Sequence, residues 1–416
     1  MDPPEMDWIF ILIILFLVLD FLIERFLDML NLKSRGAPIP EDLSGIYDSG
    51  KYAKQQAYET ARSRLGLVMS SVNFAVLLAM LAGNGFAWVD TAARGAASSP
   101  ILVTLVFFGI LSAGLGIIGL PFDLYGTFVI EERFGFNKTT PRTFMLDKMK
   151  GILLGVLIGG GLLSLVTWLF LAAGRWFWVL GWAATAAFSI VMAAFYSTLI
   201  VPLFNKQTPL EDGDLKSAIS AFTKKTDFKL KDIFVIDGSK RSTKANAYFS
   251  GLGPRKRIVL YDTLMETMGI DEILAILAHE IGHYRKKHTL KGSILGMAQA
   301  LLLFYLFSLL ASSPSMAHAL GAREPGFHLA LVAFSLLFTP VSFVLGLLTH
   351  HLQRRMEFTA DRFASEHGTA EGLSSGLKKL ASRNLVNLTP HPAYVFVHYS
   401  HPPLLERLRA LARLSG

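Results

Sequence analysis

The sequence predicts a mainly α-helical, polytopic membrane protein with a smaller α+β segment inserted between its fifth and sixth apolar runs. Three observations lead there. Of 416 residues, 52% are hydrophobic and 17% charged, too little charge to cover a soluble chain of this length. Seven apolar runs are long enough to cross a hydrocarbon core, which takes roughly 20 helical residues. Lys and Arg alternate between dense and sparse loops along the whole chain.

The runs lie near 8–25, 65–82, 101–122, 151–173, 177–201, 292–312 and 329–350. The first follows an acidic start, Met1 to Asp7, whereas a secretory signal starts basic and ends in small residues. It therefore reads as a retained anchor, and Asp20, Glu24, Arg25 and Asp28 predict an amphipathic extension beyond the bilayer. The first loop carries Lys33, Arg35, Lys51, Lys54, Arg62 and Arg64, the second Arg94, the third Arg133, Lys138, Arg142, Lys148 and Lys150, and the fourth Arg175. Segment 202–290 is densely basic, the next loop holds Arg323, and the tail is basic again. Positive loops stay inside, so the N-terminus is predicted outside, with 202–290 and the tail in the cytoplasm. The net charge of +8 is accounted for by those loops, and nucleic acid is not an expected partner. Membrane lipid is. With no cysteine, disulfides are excluded and any metal must be held by His, Asp or Glu.

Four parts follow: 1–201 with five runs, 202–290, 291–350 with two runs, and a C-terminal segment 351–416. Within the second, 231–237, 245–250 and 257–261 read as strands rich in β-branched residues. Residues 270–288 read as a helix with Asp271 and Glu272 favourable in its first turn. The C-terminal segment reads as helical, interrupted by a Pro- and His-containing loop at 389–403.

The helix at 270–288 contains His279-Glu280-Ile281-Gly282-His283. Residues four apart share a helix face, so both imidazoles can ligate one zinc ion, leaving Glu280 as the base that takes a proton from an attacking water. Gly282 is small where a larger side chain would crowd the packing beneath the metal. A catalytic zinc needs a third protein ligand and an open position. Glu357, in Arg354-Arg355-Met356-Glu357-Phe358-Thr359-Ala360-Asp361, is one candidate, with Asp361 four residues on to orient a ligand histidine. The alternative is a solvated acidic face paired with Arg354 and Arg355, and spacing alone does not choose.

Several further segments carry a family resemblance. They are Phe128-Val129-Ile130-Glu131-Glu132-Arg133-Phe134-Gly135-Phe136-Asn137-Lys138, Asn205 with Pro209-Leu210-Glu211-Asp212-Gly213, Asn246-Ala247-Tyr248-Phe249-Ser250-Gly251, and His398-Tyr399-Ser400-His401-Pro402-Pro403-Leu404-Leu405-Glu406-Arg407. Together with the His-Glu-x-x-His helix and Glu357, the chain resembles type I CAAX prenyl endopeptidases, the seven-helix membrane gluzincins. The resemblance implies a seven-helix transmembrane barrel enclosing a water-filled chamber, with an inserted gluzincin-type α+β zinc peptidase domain at the cytoplasmic end. It implies one Zn2+ per chain on His279, His283 and Glu357, with Glu280 as catalytic base and Asp361 behind the ligands. It implies a peptide or lipid-modified protein substrate, cut near a prenylated C-terminus. The chain looks shorter than eukaryotic members, ends without a dilysine signal and lacks cysteine, which suggests a bacterial member. The expected membrane is the inner membrane in that case and the endoplasmic reticulum for a eukaryotic one.

Other residues have two readings each. Asn246, Ala247 and Tyr248 belong to an edge strand that pairs with substrate backbone, or to an internal strand with Asn246 in a turn. His401 donates to an oxyanion, as the resemblance implies, or it and His398 are loop residues. Arg407 bridges carboxylates rather than touching substrate. His288, His318, His328, His350, His351, His367 and His391 read as interfacial or surface residues, and Arg285-Lys286-Lys287 as a headgroup anchor. Rival functions are a membrane quality-control metalloprotease and a transporter or scaffold with a vestigial metal site.

Overall fold

The structure is a computed structural model that describes residues 8–228, 230, 232–250 and 257–415; the acidic start, Lys231 and Gly251 lie outside them. In chain order the main helices are α1 (Trp8–Lys33), α2 (Ser49–Ala82), α3 (Gly85–Ala96), α4 (Pro100–Glu131), α5 (Pro141–Ala172), α6 (Gly174–Phe204) and α7 (Asp214–Lys225). They continue as α8 (Ile270–Arg285), α9 (His288–Leu310), α10 (Phe327–Leu337), α11 (Thr339–Glu366), α12 (Ala370–Asn384), α13 (Pro392–His398) and α14 (Leu404–Ser415).

Among the described residues, five helices, α2, α4, α5, α6 and α9, are long and apolar enough to cross a membrane. Two of the seven expected runs are not among these five. The run at 329–350 is not one helix, because α10 and α11 meet with a 58° bend. Pro340 sits in the first turn of α11, where it supplies no N–H and restricts the residue before it. Counting the bent pair as one span makes six. Helix α1 has 26 residues, but Asp20, Glu24 and Arg25 fall within every 18-residue stretch of it. Helix α2 starts well before its apolar run because the Asp48 carboxylate caps it, accepting the Lys51 N–H at 2.7 Å. Its polar first half carries Tyr58, which donates to Glu131 at the end of α4 across 2.5 Å. Lys244, next to the sheet, donates to the same carboxylate at 2.8 Å and so joins helix ends to the segment between α6 and α8.

Among the described residues, that segment forms a four-stranded mixed sheet: β1 (Gln207–Pro209), β2 (Asp232–Ile236), β3 (Ala247–Ser250) and β4 (Arg257–Tyr261), in spatial order β1-β2-β4-β3. Strands β2 and β4 run parallel, and the outer pairs are antiparallel. The three longer strands match the sequence expectation to within two residues at each end, and β1 escaped it for want of length. One sheet face and α8 share an apolar core of Ile219, Ile258, Leu260, Leu264, Leu277 and Ile281, which extends to Phe363 of α11 and Leu411 of α14. A separate core of Phe86, Phe107, Phe177, Phe307, Phe327 and Phe334 gathers α3, α4, α6, α9 and α10. There His328 is buried and 2.7 Å from Asp90, so its expected place on the surface is corrected.

Candidate metal centre

The start of α8 is set by Gly269, whose N–H donates 2.9 Å to the Glu272 carboxylate, and by acids in its first turn. Burial alone would raise the Glu272 carboxyl, but hydrogen bonds from Lys379, Ser375 and the Gly269 N–H outweigh it and hold the pKa below the ordinary range. The helix stops at Arg285 rather than at His288. Lys287 then adopts a left-handed φ of 57°, and His288 opens α9. Arg285 is not free to anchor headgroups, since its guanidinium donates to the carbonyls of Thr226 and Asp227 behind α7.

Gly282 lets α8 lie directly against α11. A Cβ there would meet the Phe363 Cβ at 3.0 Å and the Ala360 backbone at 3.1 Å. This close approach brings the Glu357 side chain to the two histidines. His283 Nε2 lies 3.1 Å from Glu357 Oε1, His279 Nε2 lies 3.5 Å from Oε2, and the two Nε2 atoms are 3.1 Å apart. One ligating atom from each of His279, His283 and Glu357 falls within 4.8 Å of the others. Glu357 is buried. His401 Nδ1 approaches Oε2 to 2.9 Å without the alignment of a hydrogen bond, so that buried oxygen has no hydrogen-bond donor. Facing ring nitrogens and a buried, unsatisfied carboxylate are a concentration of lone pairs, and a cation is the partner that satisfies all of them.

Behind these groups sits a second layer. Asp361 Oδ1 is 2.8 Å from His279 Nδ1. Arg407 of α14 grips Asp361 with two contacts, Nε to Oδ2 at 2.9 Å and Nη2 to Oδ1 at 2.6 Å, and its Nη1 reaches within 3.7 Å of Glu357. Burial would lower the pKa of Arg407, but the Asp361 carboxylate outweighs that and raises it. Burial would likewise lower His279, and Asp361 and Glu357 raise it instead.

The remaining expected residues fall as follows. Glu280 is half-buried beside His279 on α8. The His401 side chain is 67% exposed at the rim of the cluster. His398 is turned away, 3.4 Å from Glu24 and packed on Tyr394. Arg354 does not pair with Glu357. It donates to the carbonyls of Val395, Phe396 and Tyr399, the last at 2.6 Å, and so fixes the turn that leads to His401. Strand β3 is at the sheet edge, paired among the described residues only with β4, and Asn246 is exposed just before it. The sequence reading missed His288. It is buried, not interfacial, and its Nδ1 lies 3.0 Å from His283 Nδ1. Its place on the hydrophilic edge of an apolar run hid it.

Comparison with known proteins places the chain in a family. Residues 28–206 match a family model described as CAAX prenyl protease N-terminal, five membrane helices, and residues 209–415 match peptidase family M48. The CAAX prenyl protease 1 homolog of Oryza sativa subsp. japonica is 35% identical over 96% of this chain and 96% of its own. The human homolog is 33% identical over 90% of this chain and 88% of its own. CAAX prenyl protease 1 of Saccharomyces cerevisiae is 32% identical over 100% of this chain and 97% of its own. The crystal structure of S. mikatae Ste24p superposes with a TM-score of 0.91 at 33% identity, covering 99% of this chain and 100% of that one. These relatives are eukaryotic, so the bacterial origin suggested by the missing cysteines finds no support among them. The chain belongs to peptidase family M48, among the homologues of CAAX prenyl protease 1, and is a multi-pass membrane metalloprotease.

Proposed function

We propose that the protein is a zinc endopeptidase that cuts near the C-terminus of prenylated proteins from the cytoplasmic side of its membrane. The observation that carries the reading is the meeting of His279, His283 and Glu357 around a buried carboxylate oxygen that no hydrogen bond satisfies. Two histidines, one glutamate and an open position are a donor set suited to a single catalytic zinc. When bound, the metal supplies Lewis acidity toward the scissile carbonyl and toward water.

The chain's own residues do the rest. Glu280, adjacent to His279 and outside the ligand set, takes the proton from the attacking water and passes it to the leaving amine. His401 stands on the solvent side of Glu357, where its ring can donate to the developing oxyanion. Asn246, Ala247 and Tyr248 line the sheet edge on which an extended peptide can add as a further strand. The names of the relatives support the prenylated substrate, and the alternating basic loops support the cytoplasmic side. A seven-helix barrel that adds α1 and the bent α10/α11 pair to the five long apolar helices is the wider reading, and its support is how little of those five is covered: 6% to 17% of the most apolar stretch of each is buried. Helices with lipid outside and an aqueous chamber inside would look this way, whereas a packed bundle would bury one stripe of each.

The test is Glu280→Gln. The variant should keep about one zinc per chain, as expected for a single catalytic site, and lose hydrolysis of a farnesylated peptide. Loss of metal with the substitution, or turnover like the wild type, would remove Glu280 from this role.

A further inference from the structure

Resting on the reading of His283 as a metal ligand, we propose that His288 is a positioning residue that fixes the ring of His283 and the nitrogen it presents to the metal. A histidine that ligates through Nε2 must carry its proton on Nδ1, and something must accept that proton's hydrogen bond. For His279 the acceptor is Asp361. For His283 the nearest partner is another imidazole, His288 Nδ1 at 3.0 Å. Two neutral imidazoles can share that bond in either direction, so the contact alone does not select a tautomer.

Ligation through Nε2 selects it, and the far end of the chain can complete it. With Nε2 facing the other ligands, His283 keeps its proton on Nδ1 and donates to His288 Nδ1, which leaves the proton of His288 on Nε2, 3.1 Å from Thr359 Oγ1. The Thr359 hydroxyl can accept there while donating its one proton to the Met356 carbonyl at 2.8 Å, one turn back on α11. His288 then has its lone pair on Nδ1. His283 donates into that lone pair from Nδ1, and its own lone pair is left on Nε2, the atom that faces Glu357 Oε1 and His279 Nε2. All three bonds run one way, from His283 through His288 and Thr359 to a backbone carbonyl. The left-handed Lys287 is what turns the chain sharply enough to bring His288 back behind His283. The rings of His283 and His288 pack edge to face at 5.0 Å, which also holds the orientation. Thus each ligand histidine has its own backing, a carboxylate for His279 and a neutral imidazole for His283. The asymmetry keeps the negative charge behind the site to one Asp361 already matched by Arg407.

The experiment compares His288→Asn with His288→Leu in the full-length protein in detergent. The two replacements are nearly the same size, and only Asn can accept from His283. Zinc affinity is measured by chelator competition, and Co2+-loaded protein is read by its visible spectrum. Leu should weaken zinc binding about 10–100-fold and alter the Co2+ bands, and Asn should recover most of both. Equal affinities for Leu and wild type, or equal losses for Leu and Asn, overturn the proposal. His283→Ala is run beside them. If it keeps full zinc, the ligand reading itself has failed, which is a different result from a silent His288→Leu. Should the Leu variant not fold, Thr359 offers the same contrast at an exposed position. Thr359→Ser keeps the accepting hydroxyl and should bind zinc like the wild type. Thr359→Val keeps the shape and should bind several-fold more weakly, and wild-type affinity for Val overturns the proposal.

Discussion

At the scale of single residues, the candidate site is organised around two buried carboxylates with different neighbours. Glu357 faces two imidazoles and the open rim, while Asp361 is enclosed and held by Arg407 through two parallel contacts. Removing one partner of such a buried pair leaves a charge with no compensation, which costs about 3–5 kcal/mol. Arg407→Leu is therefore expected to lower the unfolding free energy by about that amount. Arg407→Lys should recover little, because an ammonium cannot reproduce the planar two-point grip. Denaturant titration of the detergent-solubilised variants measures both. A Lys variant as stable as the wild type would mean that the charge alone, without the geometry, holds Asp361.

At the scale of elements, two features of α8 decide whether the site can form. The first is Gly282. Its would-be Cβ meets backbone atoms of Ala360 at 3.1 Å, and backbone cannot step aside as a flexible side chain can. Gly282→Ala should force α8 and α11 apart, cost about 1–3 kcal/mol and weaken metal binding, because His283 and Glu357 sit on opposite sides of that contact. Metal analysis and thermal unfolding of the variant check both halves. The second is the start of α8. The folded pKa of Glu272 is depressed below its ordinary value of 4.5 by Lys379, Ser375 and the Gly269 N–H acting against burial. A depressed carboxylate stabilises the fold above its unfolded pKa and loses that contribution as pH falls through the folded value. Wild type should thus exceed Glu272→Gln in stability by about 1 kcal/mol at neutral pH, the usual size of a helix-start contact. The gap should shrink as pH drops below about 4.5, the unfolded carboxylate range. A gap that is constant with pH would assign the effect to shape and not to charge.

At the scale of the whole molecule, the question is which end of the helices faces the cytoplasm. Because the chain has no cysteine, single cysteines report this directly. Ala92 and Arg323 are exposed in the sparse loops, and Ser44 and Lys240 are exposed in the basic ones. Cysteine at the first pair should react with an impermeant thiol reagent supplied on the non-cytoplasmic side of sealed membranes, and cysteine at the second pair should not. The opposite pattern would put the metal centre on the other face of the membrane.

The sequence by itself determined what depends on neighbours within a few residues. The apolar runs, the alternation of basic loops, three of the four strands, and the placing of His279 and His283 on one helix face are all matters of local period and composition. The tertiary structure decided whatever joins residues far apart in the chain. Glu357 was open against a solvated surface face until α8 and α11 closed over Gly282. Arg407 reaches His279 across 128 positions, and no periodicity records such a contact. The bend at Phe338 and the left-handed Lys287 are single-residue changes of direction with large consequences. One divides a predicted span, and the other turns His288 from an apparent membrane-edge residue into a neighbour of the metal centre. Local propensity sets the direction of each helix, but which faces meet depends on packing summed over the whole core, and that sum is not written in any one segment.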